Sequence, residues 1–186
     1  DLTAASPRIA PLDPASADPA VAATLASVKA KLGVVPNLFR TFARSPAALD
    51  GYLALSDALA GGRLSAGQRE IVALSVGQAN RCGYCLAAHT LIGKGTGLSE
   101  ADIHAARTGT GADPHDTALA AFARRLTEQR GVVSDDELAA FRRAGFDDAV
   151  ALEVVALVAL NTLTNYTNHL AGTAVDFPPV PLEIAG

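Results

Sequence analysis

The sequence has no methionine or tryptophan, only three tyrosines and six phenylalanines, and two cysteines in 186 residues. Such a shortage of aromatic side chains argues against a fold built from strands, which draw heavily on them. The two cysteines, Cys82 and Cys85, would close too short a loop to staple much chain, so they do not read as a disulfide scaffold. Positive charge is also scarce. Fifteen Lys and Arg against 19 Asp and Glu leave a net charge of −4 and a pI near 5.5, which excludes the basic surface that a nucleic-acid backbone requires. The longest apolar run, Ala149 to Leu160, is interrupted by Glu153 and falls short of the roughly 20 residues of a bilayer span. Residues Asp1 to Pro7 carry neither a basic n-region nor an apolar h-region. No secretory signal and no membrane span are expected, and the expected location is cytoplasmic.

What is abundant is alanine, 39 residues, and leucine, 23 residues. Both are strong helix formers, and the chain is long enough to bury one sizeable core. The fold class expected is therefore all-α, a compact helical bundle.

Prolines 7, 11, 14 and 19 with no apolar period mark residues 1–18 as an extended arm. A first helix is expected over about 19–32, stopped by Gly33, and a short helical piece after Pro36. Pro46 opens a helix with Leu49, Tyr52, Leu53 and Leu59 on its buried face, ending at Gly61-Gly62. Ser65 with Gln68 forms a capping box for a helix to about Asn80, and another helix runs from near Cys82 to the glycines 93, 95 and 97. Ser99, Asp113-Pro114 and the box Ser134 with Glu137 start three more helices. The last helix, about 147–172, is apolar all round in its first half and is expected at the centre of the core. Residues 19–175 form the expected domain, with a core around the cysteine motif at about 46–125, and 176–186 form an extended tail. Glu70-Ile-Val-Ala-Leu74 echoes Glu153-Val-Val-Ala-Leu157 at an offset that lays Cys82 on Asn165 and Cys85 on Asn168, so the bundle could hold two related helical halves.

Cys82-Gly-Tyr-Cys85 followed four residues later by His89 places two thiols and an imidazole on two turns of one expected helix. Thiols at i, i+3 are close enough to form and break a disulfide without large backbone movement. A helix N-terminus favours their thiolate forms. His89 lies one turn beyond Cys85 on the same face, within reach of a proton exchange. If the chain reverses at Asn80-Arg81, the rise of the two helices brings His89 level with Glu70. The expected relay is Glu70, His89, Cys85: the carboxylate orients the imidazole, and the imidazole deprotonates the thiol. The helix dipole taken alone favours Cys82 as nucleophile, because it stands nearer the N-terminus.

Glu70, eleven intervening residues, then Cys82-x-x-Cys85-x-x-x-His89 resembles the alkylhydroperoxidase D-like branch of the carboxymuconolactone decarboxylase superfamily. Val35-Pro36-Asn37, Ser45-Pro46, Asn165-Tyr-Thr-Asn-His169 and Asp176-Phe-Pro resemble its peroxidase-related members, so the likeness covers roughly residues 32–180. It implies an all-α fold assembled as trimers or hexamers, or as a dimer, and a thiol-dependent peroxidase or disulfide reductase with no metal and no cofactor. By motif position, Cys85 is then the attacking thiolate, Cys82 the resolving thiol, and Glu70 with His89 the proton relay. The substrate is a hydroperoxide or a disulfide, and an external dithiol, a lipoyl group or a thioredoxin-like protein, resets the pair. One departure is Tyr84, which stands where the best-studied alkylhydroperoxidase D type has a second histidine.

Several residues carry competing readings. Cys82, Cys85 and His89, with Glu70 as a fourth, are possible zinc ligands in a regulatory or redox-sensing module, although zinc sites usually draw on separated pairs. A decarboxylase-like enzyme could use Glu70 and His89 with the cysteines as bystanders. Tyr84 lines the pocket or packs. Asn165, Asn168 and His169 interrupt an apolar helix, where polar groups need partners; a structural hydrogen-bond network is the first expectation, and a pocket-lining role for Asn165 and His169 the second. His104 and His115 are expected at the surface.

Overall fold

The computed structural model describes residues 6–184. The first five residues of the expected arm and the last two of the expected tail lie outside the described residues. Among the described residues there are nine α-helices and no strand, so the fold is all-α. They are α1 (Pro19–Leu32), α2 (Asn37–Phe42), α3 (Pro46–Ala60), α4 (Ala66–Ala79), α5 (Gly83–Gly95), α6 (Glu100–Thr108), α7 (Pro114–Glu128), α8 (Asp135–Arg143) and α9 (Asp148–Ala171).

The helix starts follow the punctuation in the sequence. Capping boxes at Ser65 and Gln68, Ser99 and Asp102, and Ser134 and Glu137 open α4, α6 and α8. Ser45, Asp113 and Asp147 accept a backbone N–H at the starts of α3, α7 and α9. Each cap satisfies a donor that the first helical turn cannot pair internally. Cys82 differs from the expectation. It lies outside α5 as its N-cap, with extended dihedrals, and its Sγ accepts the Cys85 N–H at 3.3 Å.

α4 is the central helix. Residues Ile71 through Gly77 are all buried, and α5, α6, α7 and α9 pack around it. Its apolar side chains join Leu119, Phe122, Phe141, Val154 and others in one core, where Phe122, Phe141 and Phe146 stack in series. A second apolar cluster gathers α1, α2 and α3 around Cys82, Tyr84 and Cys85. The two thiols therefore sit where this outer group of helices closes over the α4–α5 hairpin.

The expected central position of α9 needs correction. Val150, Val154, Leu157 and Leu160 face the core, but Leu152, Val155, Leu163, Tyr166 and Leu170 face outward. An apolar residue count cannot tell which side of a helix is covered. By length and composition α9 is also long and apolar enough to cross a bilayer, which the run interrupted by Glu153 did not suggest. In this fold its inner face is core, and Asn161, Thr164, Asn165 and Asn168 are buried on it. The sequence echo between residues 70–74 and 153–157 ends at the turn: the first copy belongs to a hairpin, and the second lies in one unbroken helix.

The described arm and tail are tied to the bundle. Arg8 and Ile9 donate their N–H groups to the Ala171 carbonyl, and Leu12 donates to Arg40. Pro14–Ser16 make a single 3-10 turn within the otherwise extended arm. In the tail, Asp176 receives the N–H of Asn37, and the Leu182 carbonyl receives Gln78 Nε2. Arg107, buried with no carboxylate partner among the described residues, donates to the Pro181 and Leu182 carbonyls and to Gln78.

Candidate active site

The α4–α5 hairpin assembles the site. The chain reverses through Asn80 and Arg81, and Arg81 takes a left-handed φ of 54° to do so. Antiparallel return then sets α5 against α4 so that His89 Nδ1 lies 2.7 Å from Glu70 Oε2. Both side chains are largely covered, at 20% and 14% exposure. Cys82 and Cys85 are buried and unbonded to each other.

Two chemically identical thiols are driven apart. The hydrogen bond from the Cys82 thiol holds Cys85 low, at about 6 against an ordinary 9.0; burial opposes this, and the nearby His89 charge and the carboxamides of Asn168 and Asn165 support it. Cys82 is pushed up by the same shared proton and by burial. The bias is therefore toward charge on Cys85 and a proton on Cys82. Burial works against charge on His89, but the Glu70 carboxylate, by attraction and hydrogen bond, together with the Cys85 charge, raises it above 6.5 overall. Such an arrangement favours charge on the sulfur and on the imidazole together, the combination that a nucleophile working with a general acid requires.

α9 supplies the other wall. Asn168 Nδ2 donates to Cys85 Sγ at 3.3 Å, and the Cys85 Sγ lies 4.0 Å from Thr164 Oγ1. Asn165 Oδ1 accepts from Asn80 Nδ2 at 2.9 Å. Asn165 thus belongs to the site. His169 does not: it is exposed, with Nε2 3.3 Å from the Arg81 carbonyl on the outside of the turn. Tyr84 is buried, but its hydroxyl is committed elsewhere, accepting from the Leu38 N–H and donating to Asp176 Oδ1 at 2.8 Å, with its ring edge-on to Phe177. It packs the tail and α2 onto the start of α5. His104 is exposed, whereas His115 is partly covered and stacks on Phe146 at 3.9 Å.

Two residues that the sequence did not single out for the site are Tyr52 and Asn80. Tyr52 was expected only as a core position of α3. It stacks on Phe42 and meets Phe39 edge-on, and burial with the charges of Cys85 and Glu70 pushes its phenol up to about 12. Asn80 stands two residues before Cys82, and a carboxamide at a helix end beside a motif was the available signal. Among the described residues no group of three or more His, Cys, Asp or Glu side chains is arranged to hold a metal ion.

Comparison with known proteins agrees with the helical architecture and motif. Residues 46–129 match the model of the carboxymuconolactone decarboxylase family. The chain has no match among curated proteins. Among solved structures, it is similar to an alkylhydroperoxidase core, an uncharacterized peroxidase-related protein from Ralstonia eutropha JMP134, with 26% identity and a TM-score of 0.83 over 91% of this chain and 92% of the other. An uncharacterized peroxidase-related protein from Silicibacter sp. TM1040 shares the fold at 20% identity and a TM-score of 0.78, over 96% of this chain and 95% of the other. The debrominase Bmp8 also shares it, at 19% identity and a TM-score of 0.77 over 90% and 91% of the two chains. The helical bundle is thus of the alkylhydroperoxidase core type, and its residues 46–129 are similar to the carboxymuconolactone decarboxylase family.

Proposed function

We propose that this protein is a thiol-dependent peroxidase that reduces hydroperoxides with the Cys82/Cys85 pair and is reset by an external dithiol. The observation that carries this reading is the Glu70–His89 contact, with the His89 charge helping to hold the Cys85 thiol low, at about 6. At neutral pH the Cys85 thiolate attacks the distal oxygen of a hydroperoxide. The S–O bond forms, the O–O bond breaks, and the leaving alkoxide takes the proton of His89. Cys85 is now a sulfenic acid. The Cys82 sulfur attacks it, forming the disulfide and releasing water, and a lipoyl group or thioredoxin-like dithiol reduces the disulfide. Glu70 holds the imidazole in orientation and stabilises its charge.

This reading also includes assembly. Leu152, Val155, Leu163, Tyr166 and Leu170 form an outward apolar stripe on α9 that a second copy of the chain would cover. A cytoplasmic location, where dithiols are kept reduced, suits the cycle.

The test supplies a dithiol and a hydroperoxide to the wild type and to Cys82→Ser, Cys85→Ser and Glu70→Gln. Turnover lost in both cysteine variants supports the cycle. Turnover unchanged in either one refutes it. Because a debrominase shares the fold, a brominated aromatic belongs in the same assay; consumption of it in preference to hydroperoxide would reassign the substrate while keeping the thiol pair.

A further inference from the structure

α9 is apolar over most of its length, yet one face of it buries Asn161, Thr164, Asn165 and Asn168, spaced i, i+3, i+4, i+7. Burying carboxamides is costly unless every donor and acceptor is used. Asn161 closes its own account by donating to the Leu157 carbonyl, and Thr164 donates to the Asn161 carbonyl. The other two do not. Asn165 Oδ1 is fixed by Asn80, which leaves its Nδ2 as the end nearer Cys85, where it favours the sulfur's charge but is buried with no hydrogen-bond partner of its own. Asn168 Nδ2 is fixed on the Cys85 sulfur, and its Oδ1 is likewise buried and unpartnered. Beside the nucleophilic sulfur, then, the fold keeps one free donor and one free acceptor. A network serving stability alone would close on itself.

A hydroxyl group is the simplest group that accepts one hydrogen bond and donates another. We propose that Asn165 and Asn168 form a hydroxyl cradle for Cys85, in which Asn165 Nδ2 donates to the distal oxygen of a bound hydroperoxide and Asn168 Oδ1 accepts the proton on that oxygen. This inference rests on the peroxidase reading and deepens it. In the reaction written above, the distal oxygen moves to sulfur with its own proton still attached. One donor and one acceptor therefore hold the same hydroxyl before transfer, as part of the hydroperoxide, and after transfer, as the sulfenic acid. The remaining alkoxide leaves toward His89 on the other side of the sulfur. Asn80 acts as a positioning residue, because its bond to Oδ1 sets which end of Asn165 faces the thiol.

The cradle is tested by comparing two reactions of the same sulfur in single-turnover experiments. Hydroperoxide delivers a hydroxyl; iodoacetamide alkylates the thiolate and delivers none. Asn165→Leu keeps the side-chain volume and removes the donor. It is expected to slow Cys85 oxidation by hydroperoxide on the order of 100-fold, the loss typical of one preorganised donor. Asn165 gives the thiolate only the smallest of its supports, so alkylation at about pH 8, well above the lowered Cys85 midpoint, should stay within about twofold. Asn168→Leu should slow both reactions, since its Nδ2 also serves the thiolate. Should Asn165→Leu not fold, Asn80→Ala frees the Asn165 carboxamide to rotate and should show the same selective loss in smaller measure. Equal slowing of both reactions by Asn165→Leu, or no slowing of either, overturns the cradle. A wild type whose Cys85 is alkylated but not oxidised by hydroperoxide overturns the peroxidase reading itself, and the cradle with it.

Discussion

Cys82 and Cys85 are shifted in opposite directions because one proton is shared between two sulfurs, and the His89 charge and the Asn168 and Asn165 carboxamides favour charge on Cys85. The consequence is measurable. Cys82→Ala removes the largest influence holding Cys85 low, so the pH midpoint for alkylation of Cys85 should move from about 6 toward the ordinary 9.0. The thiolate is present above its midpoint and lost as pH falls through it, so peroxide reactivity of the wild type should fall off below about pH 6. For His89 the sign is reversed: a raised value means the imidazolium persists above 6.5, stabilises the fold fully below that value, and is lost as pH rises through the raised value. Glu70→Gln leaves burial unopposed by the carboxylate. The His89 titration, followed by NMR, should drop, and turnover should fall by about 10²- to 10⁴-fold, the usual share of general acid–base catalysis. The Glu70–His89 contact was legible because helix rise is a fixed length per residue and the turn was marked by the end of one capped segment. Tyr52 and the orientation of the two asparagine carboxamides were not, because they depend on which faces meet across α3, α5 and α9, and sequence spacing fixes only positions within one helix.

At the level of elements, local chemistry set the boundaries well: serine, aspartate and proline starts mark the ends of α3, α4, α6, α7 and α8 close to where the sequence places them. Two connections carry more strain or more commitment than their length suggests. A Cβ at Gly111 would lie 2.5 Å from the backbone of Asp116 and Thr117 at the start of α7. Gly111→Ala should therefore cost about 1–3 kcal/mol, as other forced overpacking does, seen as a lowered denaturation midpoint. The tail is held through Tyr84, whose hydroxyl joins α2 to Asp176. Tyr84→Phe leaves the buried Leu38 N–H without an acceptor and should cost about 1–3 kcal/mol. Limited proteolysis should then cut the residues after Gly172 sooner than in the wild type.

For the whole molecule, the all-α class followed from composition, and the placement of α9 did not. Alanine and leucine report that a helix is apolar; they do not report which neighbours cover it. The outward stripe of Leu152, Val155, Leu163, Tyr166 and Leu170 gives the assembly proposal a direct test. Light scattering coupled to size-exclusion chromatography should give a mass at a multiple of 18.9 kDa. Leu163→Lys with Tyr166→Lys should shift it toward the single chain. A wild type that runs as a single chain would remove the assembly proposal and leave the site untouched.

The sulfur of Cys82 is also the first fastener of α5, since it accepts the Cys85 N–H where a serine or aspartate would normally stand. Under the proposed cycle, a helix secured by that sulfur has an end whose firmness follows oxidation state. Once that sulfur is bonded to Cys85, its geometry is set by the disulfide rather than by the amide. The amide protons of Gly83 to Cys85 should then exchange with solvent faster in the oxidised protein than in the reduced one. The backbone would thereby announce the state of the thiols to the dithiol that the proposed cycle calls for.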